Sequence, residues 1–175
     1  MDPQQPTGVE DFRAALVRRH QADGVVDAEA SARAELVFHL TRLHVRLSGD
    51  FDALHRRRGW TWAGFRIMNV LWAVGPAELR DLARLSGTSR AAISSALNTL
   101  ERDGLVSRSP VDGDKRLVRV ELTQRGHAEL LDGIRAQAER ERQWFAELGE
   151  SERVELTDLL ARLSSQPAPP RGDPR

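Results

Sequence analysis

The chain has 175 residues, 40% of them apolar and 30% charged, with 26 basic residues against 26 acidic ones. A chain of this size buries a real core, and it holds no apolar run near the ~18 residues of a membrane span. Cysteine is absent, which excludes disulfides, thiolate catalysis, cysteine-ligated zinc, iron–sulfur clusters and thiol redox sensing. Met1 to Thr7 is polar and contains proline, so no secretory signal is expected and the cytoplasm is the default location. The charge is uneven along the chain. Residues 1–55 hold 6 basic and 9 acidic residues, 56–75 hold 4 and none, 76–125 hold 9 and 7, and 126–175 hold 7 and 10. A basic middle permits a polyanionic partner there, though a mixed surface has the same balance. Of the basic residues 25 are arginine and only Lys115 is lysine. Arginine is the better fork for phosphate, but a GC-rich gene produces the same bias.

Glu10 to His20 carries Phe12, Ala15 and Leu16 on one side and predicts a short amphipathic helix. A turn with Gly24 follows, and Asp27 is placed to cap the next helix. That helix has one apolar stripe, Leu36, Leu40, Leu43, Leu47, Phe51 and Leu54, with a second starting at Val37 and His44. Two stripes suit a helix packed on its own domain and on a partner. Arg56-Arg57-Arg58-Gly59 ends it. Trp60 to Val74 is apolar nearly all round and predicts a buried helix, broken by Gly75-Pro76, with Pro76 in the first turn of the next helix. Pro76 to Ser86, the turn Ser86-Gly87-Thr88-Ser89 and Arg90 to Asp103 form a helix-turn-helix pattern, with Gly104 ending the second helix. Leu105 to Ser109 and Leu117 to Leu122 read as two strands around the Asp112-Gly113 turn, a wing. Thr123 caps a helix from about Arg125 to Leu148. Ser151 caps a last one with Leu156, Leu159, Leu160 and Leu163 on one face. Ser164 to Arg175 is polar and rich in proline, as a disordered tail would be.

The expected fold is therefore mainly α with a small β-hairpin. An N-terminal extension and dimerisation helices fill 1–55, a winged helix-turn-helix 56–124, C-terminal dimerisation helices 125–164 and a tail 165–175. The flanking helices hold more apolar surface than a small central domain covers. A two-fold homodimer is the economical solution, and it would offer two reading heads to double-stranded DNA. No cofactor and no metal is expected. His39 and His44, five apart, miss the i, i+4 spacing of paired ligands. No phosphate loop, nucleophile elbow or His-Glu-x-x-His motif is present, and tyrosine is absent, so an enzyme is the least favoured class.

The run from Leu79 to Gly126 resembles the MarR (multiple antibiotic resistance regulator) family. The likeness rests on the helix pair Leu79 to Ala83 and Ser89 to Leu100, on Leu100-Glu101-Arg102-Asp103-Gly104-Leu105-Val106, on Asp114-Lys115-Arg116 in the wing and on Leu122-Thr123-Gln124-Arg125-Gly126. With the flanking helices it covers residues 27–164. It implies a homodimer on pseudo-palindromic DNA, usually a repressor, released by a small anionic or phenolic ligand. The alternatives are an activator, or an architectural DNA-binding protein that needs no ligand. An interaction protein is a further class, against which the hydroxyl-rich face of the second helix speaks.

That second helix, about 89–103, is the one that enters the major groove. Thr88, Ser89, Arg90, Ser94, Ser95, Asn98 and Thr99 are its candidate contacts. Asn98 suits a bidentate pair with adenine, Arg90 guanine or phosphate. Ser89 also reads as a plain helix cap, and Ser94, Ser95 and Thr99 as a solvated face. No acidic residue lies between Arg84 and Leu100, which argues for DNA. In the wing, Arg116 is assigned to the minor groove or backbone, Lys115 to phosphate and Asp114 to orienting Arg116. A plain turn ion pair is the alternative for Asp114 and Arg116. Arg108, Arg84 and Arg80 are weaker phosphate candidates. The resemblance also implies an effector crevice, for which His39, His44, Arg58, Trp60, Trp62, Arg66 and Trp72 are candidates. Arginine beside tryptophan suits a planar carboxylate or phenolate. Core tryptophans, a solvated arginine helix end and an interior His44 are the plain alternatives. Some relatives with an N-terminal extension sense urate through an acidic residue at a site that looks like Arg66 here, a departure that speaks against urate. No membrane partner is expected.

Overall fold

The computed structural model describes residues 8–24, 27–111 and 114–167, and the side chains of residues 111 and 114–117 lie outside the description. The expected Asp112-Gly113 turn and residues 168–175 of the expected tail fall outside the described residues. The chain divides into two compact units, residues 1–62 and 63–175. The C-terminal helices thus belong to the same unit as the winged head.

In the first unit, α1 (Val9–Ala22) precedes α2 (Ala28–Arg56). The Asp27 carboxylate accepts the Ala30 N–H at 2.7 Å, the cap its position suggested. α1 lies on α2 through Phe12 and Phe38, whose ring centroids are 6.3 Å apart, and through an Arg13–Glu35 ion pair. Of α2 only Phe51 and His55 are buried. Leu36, Val37 and Val45 are more than half exposed, while Leu40, Leu43, Leu47 and Leu54 are half-buried, so the first stripe is covered only in part within one chain.

α3 (Trp62–Val74) starts two residues later than its apolar run, because Trp60 lies before the helix as a buried residue. The Asp52 side chain accepts the Trp62 N–H at 2.9 Å and so satisfies one of the free amides at the start of α3. Burial pushes the Asp52 carboxyl up, but the Trp62 amide and the Arg56 guanidinium outweigh it and hold the group below its usual value. A depressed carboxyl stabilises the fold above the ordinary carboxylate range, and that contribution is lost as the pH falls. Asp52→Asn is therefore expected to flatten the acid limb of a urea-midpoint series from pH 7 to 3. Asp52→Ala is expected to cost about 1 kcal/mol at pH 7. An unchanged acid limb would remove Asp52 from this role.

α3 is not buried all round, as its composition suggested. Gly64, Phe65, Ile67, Met68 and Leu71 are buried, while Trp72 and Val74 are at least half exposed. Pro76 does not open a helix either. Ala77–Glu78 forms a strand, β1, and α4 (Leu79–Ser86) follows it. The hairpin of β2 (Val106–Val111) and β3 (Asp114–Leu122) is thereby part of a three-stranded antiparallel sheet in the order β1-β3-β2. Ala77 pairs with Val120 and Glu78 with Arg119. Pro110 lies in β2, an edge strand, where a missing N–H is tolerated, and the register shifts between Pro110 and Val111.

α5 (Arg90–Arg102) starts at Ser89, whose hydroxyl accepts the Ala92 N–H at 3.3 Å. Ile93, Ala96, Leu97 and Leu100 are its buried face at helical spacing. At its end Gly104 adopts φ +68°, its N–H reaches Glu101 O, and the Leu105 N–H reaches Leu100 O at 2.8 Å. This is a Schellman ending, which requires the left-handed residue that glycine supplies. Thr123 caps α6 (Gln124–Trp144) by accepting the Gly126 N–H at 2.9 Å, and its hydroxyl also donates to Gly104 O at 2.8 Å. One threonine thus ties the start of α6 to the end of α5. α6 stops at Trp144, four residues short of Leu148. α7 (Glu150–Ser165) is capped at Gly149, not Ser151, because Glu152 turns back to accept the Gly149 N–H at 2.7 Å.

Candidate nucleic-acid interface

α4 and α5 are joined by Gly87 to Ser89. Gly87 has φ +59°, so the turn takes a backbone shape that L side chains rarely adopt. The apolar face of α5 is fully occupied by the core, which leaves its other face to water. Ser89, Arg90, Ser94, Ser95 and Asn98 are exposed there, and Thr88 and Thr99 are half-buried. Two hydroxyls are turned to their own backbone: Thr88 donates to Ser86 O and Thr99 to Ser95 O, each at 3.4 Å. The first turn of α5 carries no acidic side chain, so its free amides and dipole face solvent without a competing negative charge. This is a polar, small-residue surface that lets a helix approach a groove closely.

Arg108 on β2 does not point away as a free phosphate contact. Its Nη2 donates to Asn98 Oδ1 at 2.8 Å, and its Nε lies 3.2 Å from Glu101 Oε2. Arg80 is ion-paired with Glu78 at 3.3 Å and Arg84 with Asp81 at 3.2 Å. The three weaker phosphate candidates are therefore each engaged by a neighbouring carboxylate. The backbone of Asp114, Lys115 and Arg116 forms the first residues of β3, next to the β2–β3 connection, and their side chains lie outside the description.

The effector candidates are distributed over both units. His39 and His44 are exposed on α2. His39 stands edge-on to Phe38, 5.5 Å between centroids, and lines a cavity of about 470 Å³ between α1 and α2. Arg58 is half-buried in the segment after α2. Trp60 and Trp62 come together around a residue that sequence reasoning did not place in the site. The His55 imidazole is fully buried and stacks on both indoles, at 6.0 and 5.7 Å between centroids and 15° and 13° between planes. The available signal was its position four residues after Phe51, on the buried end of the same stripe. Trp72 is half exposed on α3. Arg66, also on α3, is partly buried, and burial lowers its guanidinium pKa. Its Nη2 approaches Gly87 so closely that a Cβ there would come within 2.8 Å of it. Arg66 thus touches the turn that leads into α5. Among the described residues no cluster of three or more potential metal ligands is present, and no helix is long and apolar enough to cross a membrane.

A helix-turn-helix with a β-hairpin beside its second helix defines a winged-helix fold. The MarR family model matches residues 60–118. The chain is 32% identical over 104 residues to the uncharacterized HTH-type transcriptional regulator YwaE of Bacillus subtilis, a match covering 59% of this chain and 61% of that relative. The chain thus spans less than two thirds of the length of that relative. It is similar to the crystal structure of a probable transcriptional regulator from Pseudomonas aeruginosa, with TM-score 0.61 and 32% identity over 69% of this chain and 94% of that one. It is also similar to the structure of NadR in complex with 4-hydroxyphenylacetate, with TM-score 0.60 and 27% identity over 74% and 92% of the two chains. The chain belongs to the MarR family, whose matching members are named as transcriptional regulators and not as enzymes.

Proposed function

We propose that this protein is a homodimeric transcriptional repressor that binds a pseudo-palindromic operator in the cytoplasm and is released by a small aromatic acid. The carrying observation is the exposed face of α5, built from serines, Asn98 and Arg90 with no acidic residue from Arg84 to Leu100. A solvated helix in a chain that is 30% charged would be expected to mix both signs along that run. The dimer is supported by α7, of which no residue is buried within one chain. Val154, Leu159, Leu160 and Leu163 are all at least 40% exposed. Two copies joined by a two-fold axis place two copies of α5 on successive turns of a duplex.

The test is fluorescence anisotropy on DNA from the flanks of the protein's own gene, across a salt series. Tight, salt-sensitive binding that resists competitor, with two proteins per site, is the expected result. If neither these flanks nor fragments selected from the whole genome bind better than random DNA, the reading fails. In the same assay Arg116→Ala is expected to weaken binding at least about tenfold at moderate salt, through a lost groove or phosphate contact. Unchanged affinity would refute the assignment of Arg116 to the wing contact.

For the effector, Arg66 supplies a cationic fork next to the turn before α5. A carboxylate drawing that fork away would disturb the start of the reading helix, which links ligand to release. The ligand-bound NadR structure supports an aromatic acid as the class. Calorimetry with hydroxylated aromatic acids is expected to show binding that Arg66→Ala weakens about tenfold, the scale of a lost charge-assisted bond. Equal affinity in the variant would take Arg66 out of the site.

A further inference from the structure

Arg108, Asn98 and Glu101 form a connected group at the edge of the reading face. Asn98 and Glu101 are three residues apart on α5 and so lie on one side of the helix. Arg108 comes from the adjacent strand β2, opposite Val120 of β3, and is about a quarter exposed. Its Nη2 donates to Asn98 Oδ1 at 2.8 Å, and its Nε lies against the Glu101 carboxylate at 3.2 Å. A guanidinium has five donors and no acceptor. It therefore forces the Asn98 amide into one of its two orientations, with the oxygen toward the strand and the NH2 outward. We infer that Arg108 is a positioning residue that turns Asn98 into a donor-only reader, selecting guanine over adenine at the base it contacts. The inference rests on the reading of α5 as the recognition helix.

The base chemistry follows from counting donors and acceptors. A bidentate asparagine–adenine pair needs the amide oxygen to accept from adenine N6 while the NH2 donates to N7. Here Arg108 holds that oxygen. The NH2 that remains matches an edge with acceptors alone, and in the major groove guanine offers N7 and O6. The adenine N6–H₂ would face the outward NH2, donor against donor. Two of the Arg108 nitrogens face these partners, and the inferred role of the residue is to orient Asn98, not to contact a phosphate.

The experiment is selection of bound duplexes from a random library by the full-length protein, followed by affinity measurements on the selected site in a salt series. At one symmetric pair of positions the wild type is expected to select guanine over adenine by about tenfold. Asn98→Ala is expected to lose the preference at that position alone. Arg108→Ala frees Oδ1, and is expected to move the preference to adenine while leaving the salt slope unchanged. Arg108→Lys, which still donates to Oδ1, should restore much of the guanine preference. Glu101→Gln, which removes the carboxylate that anchors Arg108 but keeps the helix, should give the Arg108→Ala shift in weaker form. Circular dichroism melts check that each variant stays folded. If Arg108→Ala keeps guanine and lowers the salt slope by about one, Arg108 is a phosphate contact and the inference is overturned. Wild-type selection of adenine at the position Asn98 governs also overturns it. A library in which no sequence is enriched would overturn the regulator reading, and this inference with it.

Discussion

Gly126→Ala is expected to destabilise the protein by about 3 kcal/mol or more, read as a fall in the urea midpoint. A Cβ at this position would lie 1.9 Å from Leu105 O and 2.8 Å from Leu105 C. Those are backbone atoms, and they are held from two sides. The Leu105 N–H is bonded to Leu100 O at 2.8 Å in the ending of α5, and Leu105 O accepts the Thr123 N–H at 3.1 Å. The Leu105 side chain is buried as well, at 2% exposed. Neither side of the contact has a flexible end to move, so the strain spreads into α5, β2 or the start of α6. Glycine inside a helix normally costs about 0.5–1 kcal/mol against alanine, so alanine would stabilise an unconstrained site. A loss below about 1 kcal/mol would mean that α6 starts farther from Leu105 than the structure places it.

Leu160→Asp combined with Leu163→Asp is expected to turn the proposed dimer into a monomer and to lower affinity for the proposed operator by about 100-fold or more. Both side chains are at least 40% exposed, and α7 contributes no buried residue to its own chain. The protomer thus loses little by the change, and its helix content by circular dichroism should hold. A carboxylate in a dry helix interface has no partner and is costly. Two heads on one dimer bind the second half-site at high effective concentration, an advantage of roughly 10² to 10⁴ that the monomer gives up. Light scattering reads the oligomeric state and anisotropy the affinity. A variant that stays dimeric would move the interface away from α7. A monomer with wild-type affinity would remove the two-headed mode of binding.

Much of the reading head was legible because its signals are local. The Ser89 cap, the Ile93, Leu97 and Leu100 spacing and the glycine after Asp103 concern a single helix and its hydrogen bonds. Asp27 before α2 and Thr123 before α6 are of the same kind. The misjudged boundaries had competing local choices. Ser151 is a good cap residue, but Glu152 reaching back to Gly149 settled the start of α7 two residues earlier. Pro76 suits a first helical turn, but the pairing of Ala77 with Val120, far along the chain, made a strand there. The all-round apolar run of α3 concealed two surfaces, since composition does not say that Trp72 faces outward.

The candidate site divides in the same way. The amino-acid order by itself determined that a hydroxyl-rich helix without acidic residues follows a tight turn, because caps and periodicity act within a few residues. Which of its side chains are free was decided only when β2 came alongside α5. Asn98 looked like an adenine reader, yet its oxygen is held by an arginine ten residues later in sequence. His55 looked like one histidine among five, yet it lies between two indoles. Gly126 stood only as the last residue of the Leu122 to Gly126 run, yet its missing Cβ is what lets α6 touch Leu105. A residue's type sets which bonds it can make; the packing of distant segments sets which of those bonds are already taken.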